Sequence, residues 1–411
     1  MTDPTGFCFV SYRRIRLAEV GELVGVLHDH GIPTWQDVSD LPTSPTEEEL
    51  RRVLAADETA SAVLFVTPEV ETSAVIREIE APEIVGRCKR RDGFFAVPVA
   101  AGSLDYGDVA RVLGPHVELA HLPGWNIHKP ARNPIDHESA VAIAEVVLRQ
   151  RLAEIHRVLP ADAPLRASIS TRGPAPRLVG PALVIDLSHR FAGRLAPSHA
   201  WADTILPALR SIVRCVRTYA PGRSVELSGL AAIPAAMAAG AAFLSLAGVQ
   251  VRWVQDQTTF GKPAEQWGLH RAREASGFQI ETSAREAGAA DLALLVSVAA
   301  DVRPDFSVVA PDLPDLRAVV SIAPPPAVAG ARTFLGPGQA VDLANVIVDA
   351  LRSARATYHC RGTIHVFFAG PVGLAMMIGQ LMNTFGPVQT YEHLPGSPKP
   401  YVPAALLAPS L

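Results

Sequence analysis

The run Ala62–Thr67, AVLFVT, has neither a charge nor an alternation of polar and apolar positions. A strand with that pattern is buried on both faces, the kind a parallel sheet covers with helices. Its neighbours repeat the theme. Phe7–Val10 and Ile32–Gln36 are further strand candidates before it, and Phe94–Val99 and Val117–Leu122 follow it. Between them Val20, Leu23, Val24 and Leu27 recur at helical spacing, and Thr46 with Glu49 forms a capping-box pattern before Leu50, Val53 and Leu54. A helix is predicted over 72–87 with a kink at Pro82, and a long amphipathic helix over 137–159. This alternation requires a parallel α/β sheet with helices on both faces over residues 1–158.

Residues 159–177 hold Pro160, Pro164, Pro174 and Pro176 among small and polar residues, the composition of a linker. The remainder, 178–411, alternates again. Strands are predicted near 182–187, 224–228, 249–254, 292–298, 317–322 and 363–368, with helices near 199–218, 231–246, 339–355 and 372–385. VELSGLAAIPAAMAAGAAFL from Val225 and IHVFFAGPVGLAMMIGQLMN from Ile364 share one grammar: strand, small-residue turn, then a helix rich in small residues. Separated by about 140 residues, they read either as two related halves or as two buried βα units of ordinary kind.

Of the 411 residues 48% are apolar and 19% charged, with a net charge of −4, which argues against binding duplex nucleic acid through a basic surface. The four cysteines are scattered, with no C-x-x-C, and fit free thiols in a reducing cytoplasm. The histidines show no metal-ligand spacing, so neither a metal nor a cofactor is expected. Met1–Gly6 lacks a signal-peptide pattern. The uncharged runs between Glu226 and Arg252 and between His365 and Glu392 are long enough to span a bilayer, but glycines and prolines cut both. No G-x-G-x-x-G follows a strand, which removes the common dinucleotide oxidoreductase reading.

The first strand ends in Ser11, Tyr12, Arg13 and Arg14. Ligands of parallel sheets bind at carboxyl ends of strands, and arginines there suit a phosphate or diphosphate. Ion pairs with Asp37 or Asp40 are the plainer alternative. FCFVSYRR, IPTWQDVSDLP, SAVLFVTPEV and SAVIREIE, in that order, resemble the successive boxes of a TIR domain over residues 7 to about 150. Ala74 stands where the family's helix has a tryptophan, and the loop 42–44 lacks the usual glycine. The resemblance implies a flavodoxin-like fold and either a non-catalytic assembly module or an NAD+-cleaving enzyme. In the enzyme, Glu78 would be the catalytic carboxylate, with Glu80 and Glu83 as alternative registers. Ser11, Tyr12, Arg13, Asp37, Val38 and Leu41 would hold the NAD+ substrate.

The stretch from Ile364 to Ala404 resembles the closing segment of SAVED domains, less specifically extending back to about residue 165. Those domains are fused pairs of CARF-like, Rossmann-type halves that bind cyclic oligonucleotides in bacterial antiviral (CBASS-type) defence. The resemblance implies a cyclic oligonucleotide activator, with cyclic oligoadenylate the expected type. Glycine turns and helix N-termini suit its phosphates. Candidate contacts are Ser228, Gly229 and Leu230 in one half and Ala369, Gly370 and Pro371 in the other, with Ser188, Trp253, Tyr391 and His393 in addition. Trp267 is a further aromatic candidate. The combined expectation is a cytoplasmic NADase that the activator assembles into filaments, or an adaptor that recruits a partner.

Overall fold

The computed structural model describes residues 1–36, 46–114, 117, 126–173, 180–244, 248–256, 263–325 and 335–408. The expected strand over 118–122 lies outside them. The chain divides into two compact units: Met1–Ser168, Pro176–Asp186 and Arg214–Pro221 form the first, and Ile169–Ala175, Leu187–Val213 and Gly222–Leu411 the second. Both are α/β.

In the first unit β1 (Phe7–Ser11), β2 (Thr34–Trp35), β3 (Thr59–Val66) and β4 (Phe95–Ala100) form a parallel sheet in the order β2-β1-β3-β4. All eight residues of β3 are buried, as its uninterrupted apolar run requires. The helices are α1 (Leu17–Asp29), α2 (Thr46–Ala55), α3 (Ala81–Lys89), α4 (Tyr106–Leu113) and α5 (His137–Val158). Val20, Leu23, Val24 and Leu27 turn the buried stripe of α1 inward. The side chain of Thr46, expected as a cap, lies outside the described residues. Arg151 of α5 is buried without a carboxylate partner among the described residues. It donates to the carbonyl oxygens of Gly6, Thr5 and Ala182 at 2.5, 2.5 and 2.9 Å, and burial lowers its pKa to about 10. Residues near β6 (Leu183–Asp186) thereby belong to this unit, where the Val184 N–H also donates to Gly31.

Two expectations change. The helix predicted over 72–87 runs without a break from Ala74 to Lys89, but with a π turn at Ile76–Glu80 set into it and a 3₁₀ turn at Pro68–Thr72 ahead of it. Pro82 lies inside that run, directly behind the π turn. The supposed linker is not structureless: β5 (Leu165–Ser170) forms within it, with five of its six residues buried. Proline and small polar residues flank a strand there.

The second unit has a six-stranded sheet, ordered β10 (Gln279–Ala284), β12 (Leu316–Ala323), β11 (Asp291–Ser297), β13 (Ile364–Ala369), β14 (Val388–His393) and β15 (Tyr401–Leu407). The four central strands are parallel, and the two edges run antiparallel. A smaller sheet contains β7 (Val225–Leu230) and β8 (Val251–Gln255) in parallel, with β9 (Glu265–Trp267) antiparallel to β8. Its helices are α6 (Leu206–Tyr219), of which the residues up to Val213 belong to this unit, α7 (Ile233–Ala242), α8 (Arg303–Val309), α9 (Pro337–Tyr358) and α10 (Val372–Leu381).

The two repeated stretches are β7–α7 and β13–α10, and their helices pack on each other reciprocally. A Cβ on Gly240 of α7 would lie 2.0 Å from the carbonyl oxygen of Met376, and one on Gly379 of α10 would lie 2.2 Å from that of Met237. Gly240 and Gly379 stand at matching places in the two stretches, as do Met237 and Met376. Each half therefore supplies the same glycine to the other half's same carbonyl, which favours the related-halves reading over chance likeness.

Candidate functional site

At the carboxyl end of β1 the Ser11 hydroxyl donates to Glu80 Oε2 at 2.5 Å, and both residues are buried, Glu80 to 6% exposure. Helical spacing explains the choice of carboxylate. Ile76, Ile79 and Glu80 share the buried face of the π turn, one turn apart, whereas Glu78 points to the opposite side and is exposed. Glu83 pairs with Arg51 at 2.7 Å. Glu78 thus does not reach the strand end; Glu80 does. Tyr12 is buried beside this pair in sequence, and Arg13 is half-buried, its Nε without a hydrogen-bond partner among the described residues. Arg16 closes the neighbourhood through Glu69 at 2.6 Å, a hydrogen bond that raises the Arg16 pKa. Asp37, Val38 and Leu41 lie outside the described residues.

In the second unit the expected contacts separate into three kinds. Trp253 and Tyr391 are core residues. Trp253 is buried opposite Trp267 across the β8–β9 pair. Tyr391 stacks on Phe367 at 4.4 Å, bonds His365 Nδ1 at 2.8 Å, and has its pKa pushed up to about 12 by burial. The glycines serve the chain's own packing. Gly229 has φ +122° and would place a Cβ 2.3 Å from the Ile169 carbonyl oxygen, while a Cβ on Gly370 would meet the Phe368 ring at 2.8 Å. One N–H at each helix start is also engaged by a side chain. Thr171 Oγ1 accepts from the Ala232 N–H at 2.8 Å ahead of α7, and Gln255 Oε1 from the Gly373 N–H at 3.2 Å in α10, behind the N-cap Pro371. Ala369 likewise spends its carbonyl on the N–H groups of Val298 and Ala299. Gly229 thus admits backbone and Gly370 an aromatic ring.

The third kind sits at open strand ends. Ser228 is half-buried, Leu230 is 66% exposed, and the Leu230 carbonyl accepts from the Thr171 N–H at 3.1 Å. Ser188 begins a 3₁₀ turn, Ser188–Arg190, and is half-buried. His393, at the end of β14, bonds Asp305 at 2.8 Å.

Beside these residues lies a cluster that sequence reasoning missed. Arg172, directly after Thr171, and Arg194 both reach Glu392 Oε1, at 3.0 and 3.1 Å. Glu392 is 3% exposed; its burial raises its pKa, against the two guanidinium groups that pull it down. Each arginine side chain stays 42% exposed, so a fork with five N–H groups keeps donors facing solvent after one bond to Glu392. Two cations held side by side over one buried carboxylate make an outward-facing anion site. The signal was present: Ser170-Thr171-Arg172 after β5 repeats the hydroxyl-then-arginine ending Ser11-Tyr12-Arg13 after β1.

Residues 209–407 match the family described as SAVED, the SMODS-associated and fused to various effectors sensor domain. This part of the chain is a SAVED domain. No curated protein shows significant similarity to the sequence. Among solved structures, the Acinetobacter baumannii Cap4 SAVED/CARF-domain containing receptor with the cyclic trinucleotide 2'3'3'-cAAA superposes with a TM-score of 0.50 at 12% identity, covering 90% of this chain and 86% of that one. The same receptor with 3'3'3'-cAAA gives 0.49 at 12% identity, with coverages of 90% and 86%. The Moraxella osloensis Cap4 receptor gives 0.46 at 15% identity, covering 89% and 86%. The first of these likenesses supports the mixed α/β SAVED/CARF fold. Among the described residues no helix is long and apolar enough to cross a membrane.

Proposed function

We propose that the protein is a cytoplasmic defence effector in which a TIR-type NAD+ hydrolase is governed by a SAVED sensor of a cyclic oligonucleotide. The buried Ser11–Glu80 pair at the end of β1 carries the enzymatic half of this reading. Water replaces nicotinamide at the ribose C1′, giving ADP-ribose, nicotinamide and a proton. Nicotinamide departs as a neutral molecule, so no acid need protonate it. The demand is for negative charge beside an oxocarbenium-like ribose, which Glu80 supplies, while the Ser11 hydroxyl fixes its rotamer. Tyr12 and the buried, unengaged Arg13 Nε suit the ribose and diphosphate.

For the sensor, the SAVED match and the Arg172–Arg194 pair support a phosphodiester ligand. The Acinetobacter baumannii Cap4 receptor is seen with the cyclic trinucleotide 2'3'3'-cAAA, and we take a cyclic oligoadenylate as the activator here. A ring with several equivalent faces bridges two sensor domains head to tail. Such contacts propagate as filaments and raise the local concentration of TIR domains on one another. Incubating the pure protein with NAD+ and a panel of cyclic oligonucleotides is the test. Nicotinamide release and a jump in light scattering are both expected with one of them. Scattering without release would make the first unit an assembly module, and neither would overturn the sensor reading.

A further inference from the structure

The six-stranded sheet leaves a second cavity that the strand-end site does not use. Helix α8 covers the β11 side of one sheet face, with Phe306 packed edge-on against Phe367 at 5.0 Å. Between α8 and the exposed edge strand β10, that face stays open as a cleft of about 420 Å³. Such a volume falls within the range of small-ligand sites.

The register explains why its walls differ. Glu281 pairs with Ser321 and Ser283 with Val319 across β10 and β12, and Ser321 pairs with Leu295 on β11. Alternation therefore puts Leu295, Val319 and Ser321 on the floor, and Glu281 and Ser283 on one wall, with Arg285 two residues further on the same side. The opposite wall is Arg303, Phe306 and Ser307 of α8. Asp301 holds Arg303 by bonds of 2.8 to 3.1 Å. The Arg285 side chain, by contrast, has no partner among the described residues. The lining thus carries two guanidinium groups, of which Asp301 already neutralises Arg303, with the Glu281 carboxylate, hydroxyls on both walls, and an apolar floor.

We infer that this cleft binds a nucleoside 5′-monophosphate. Arg285, the uncommitted cation, takes the phosphate from its own wall. Glu281 accepts from the ribose diol, the role an acidic residue plays toward ribose hydroxyls in dinucleotide sites. Leu295, Val319 and the edge of Phe306 receive the base. The lining recognises one phosphate, one diol and one flat apolar group. It has no second cluster of cations for a polyphosphate.

Calorimetry on the full chain with AMP, adenosine and inorganic phosphate tests the assignment. AMP is expected to bind at least about tenfold tighter than either fragment, and Arg285→Ala to weaken it by about tenfold or more. Ser321→Leu fills the floor and should abolish binding. Arg285 is exposed, so Arg285→Ala reports on the site even if Ser321→Leu fails to fold. Arg172→Ala should leave AMP affinity unchanged, which separates this cleft from the activator site. AMP affinity unaffected by Arg285→Ala, or no AMP binding at millimolar concentration, would overturn the inference.

Discussion

At the end of β1 a serine hydroxyl donates to a buried glutamate; at the end of β5, two residues beyond a serine, an arginine joins a second arginine over another buried glutamate. Both sites grow from a strand that finishes in a hydroxyl followed by arginine, and both recruit a carboxylate from far along the chain. They differ in what holds it. The Ser11 hydroxyl donates to Glu80, whereas the guanidinium groups of Arg172 and Arg194 outnumber the Glu392 carboxylate. The first arrangement suits a developing cation and the second a phosphodiester. Local sequence sets the position of such a site, and the remote partner sets its sign.

The strongest way to break this comparison is to remove the charge at the first site. Glu80→Gln keeps shape and most hydrogen bonding, and is expected to lower activator-stimulated nicotinamide release by about 10² to 10³ or more. Glu78→Gln should stay near wild type, because that side chain faces solvent. The reverse pattern in a steady-state assay would return the catalytic role to Glu78 and make Ser11–Glu80 a packing contact.

Glu80 also marks where sequence reading stopped. Buried strands were legible because two-sided burial leaves no charge in runs such as Ala62–Thr67 or Ile364–Phe368. The π turn was not, since its backbone shows no signature in IREIE that sets it apart from an ordinary helix. Nor was the sensor cluster: Arg172 and Glu392 are 220 residues apart, and periodicity carries no information over that span. Tyr391 and Trp253 failed in the other direction, because an aromatic in a strand packs in a core far more often than it meets a ligand.

At the second site the expected loss is smaller and has a different signature. Arg172→Ala should weaken binding of the cognate cyclic oligonucleotide by about 10- to 100-fold, the scale of one charged hydrogen bond. It should also flatten the fall of affinity with added salt. Basal properties of the first unit should not change. Calorimetry at two ionic strengths reads both quantities, and an unchanged affinity would remove the arginine pair from the site.

The reciprocal glycines probe whether the sensor's halves are physically equivalent, a feature the first unit lacks. Gly240→Ala and Gly379→Ala each drive a methyl into the facing backbone and should cost about 1–3 kcal/mol each. Gly86→Ala on α3, exposed and with open space for a Cβ, should instead stabilise by up to about 1 kcal/mol. Urea unfolding measures all three. A large asymmetry between Gly240→Ala and Gly379→Ala would mean that only one half bears the crossing.

The smallest effect is predicted for Glu392, and it tests the sign assigned to the second site. Breaking a buried ion pair commonly costs about 3–5 kcal/mol, because it strands a charge out of water. Here the two arginines are 42% exposed and keep their solvent, while the carboxylate carries the burial. Its pKa is raised, so burial outweighs the pull of both cations. A carboxyl with a folded pKa above its unfolded value contributes full stability below the unfolded pKa. That contribution is lost as pH climbs through the folded one. Between ordinary glutamate titration and neutrality, Glu392 therefore becomes a net cost to the fold. Glu392→Gln should leave stability at pH 7 within about 1 kcal/mol of wild type. It should also flatten the pH dependence of unfolding above the usual carboxylate range. The same substitution frees both guanidinium groups and should tighten binding of a polyanion. A loss of several kcal/mol at pH 7 would show instead that Glu392 holds the arginines in place, and that the cluster is a structural latch.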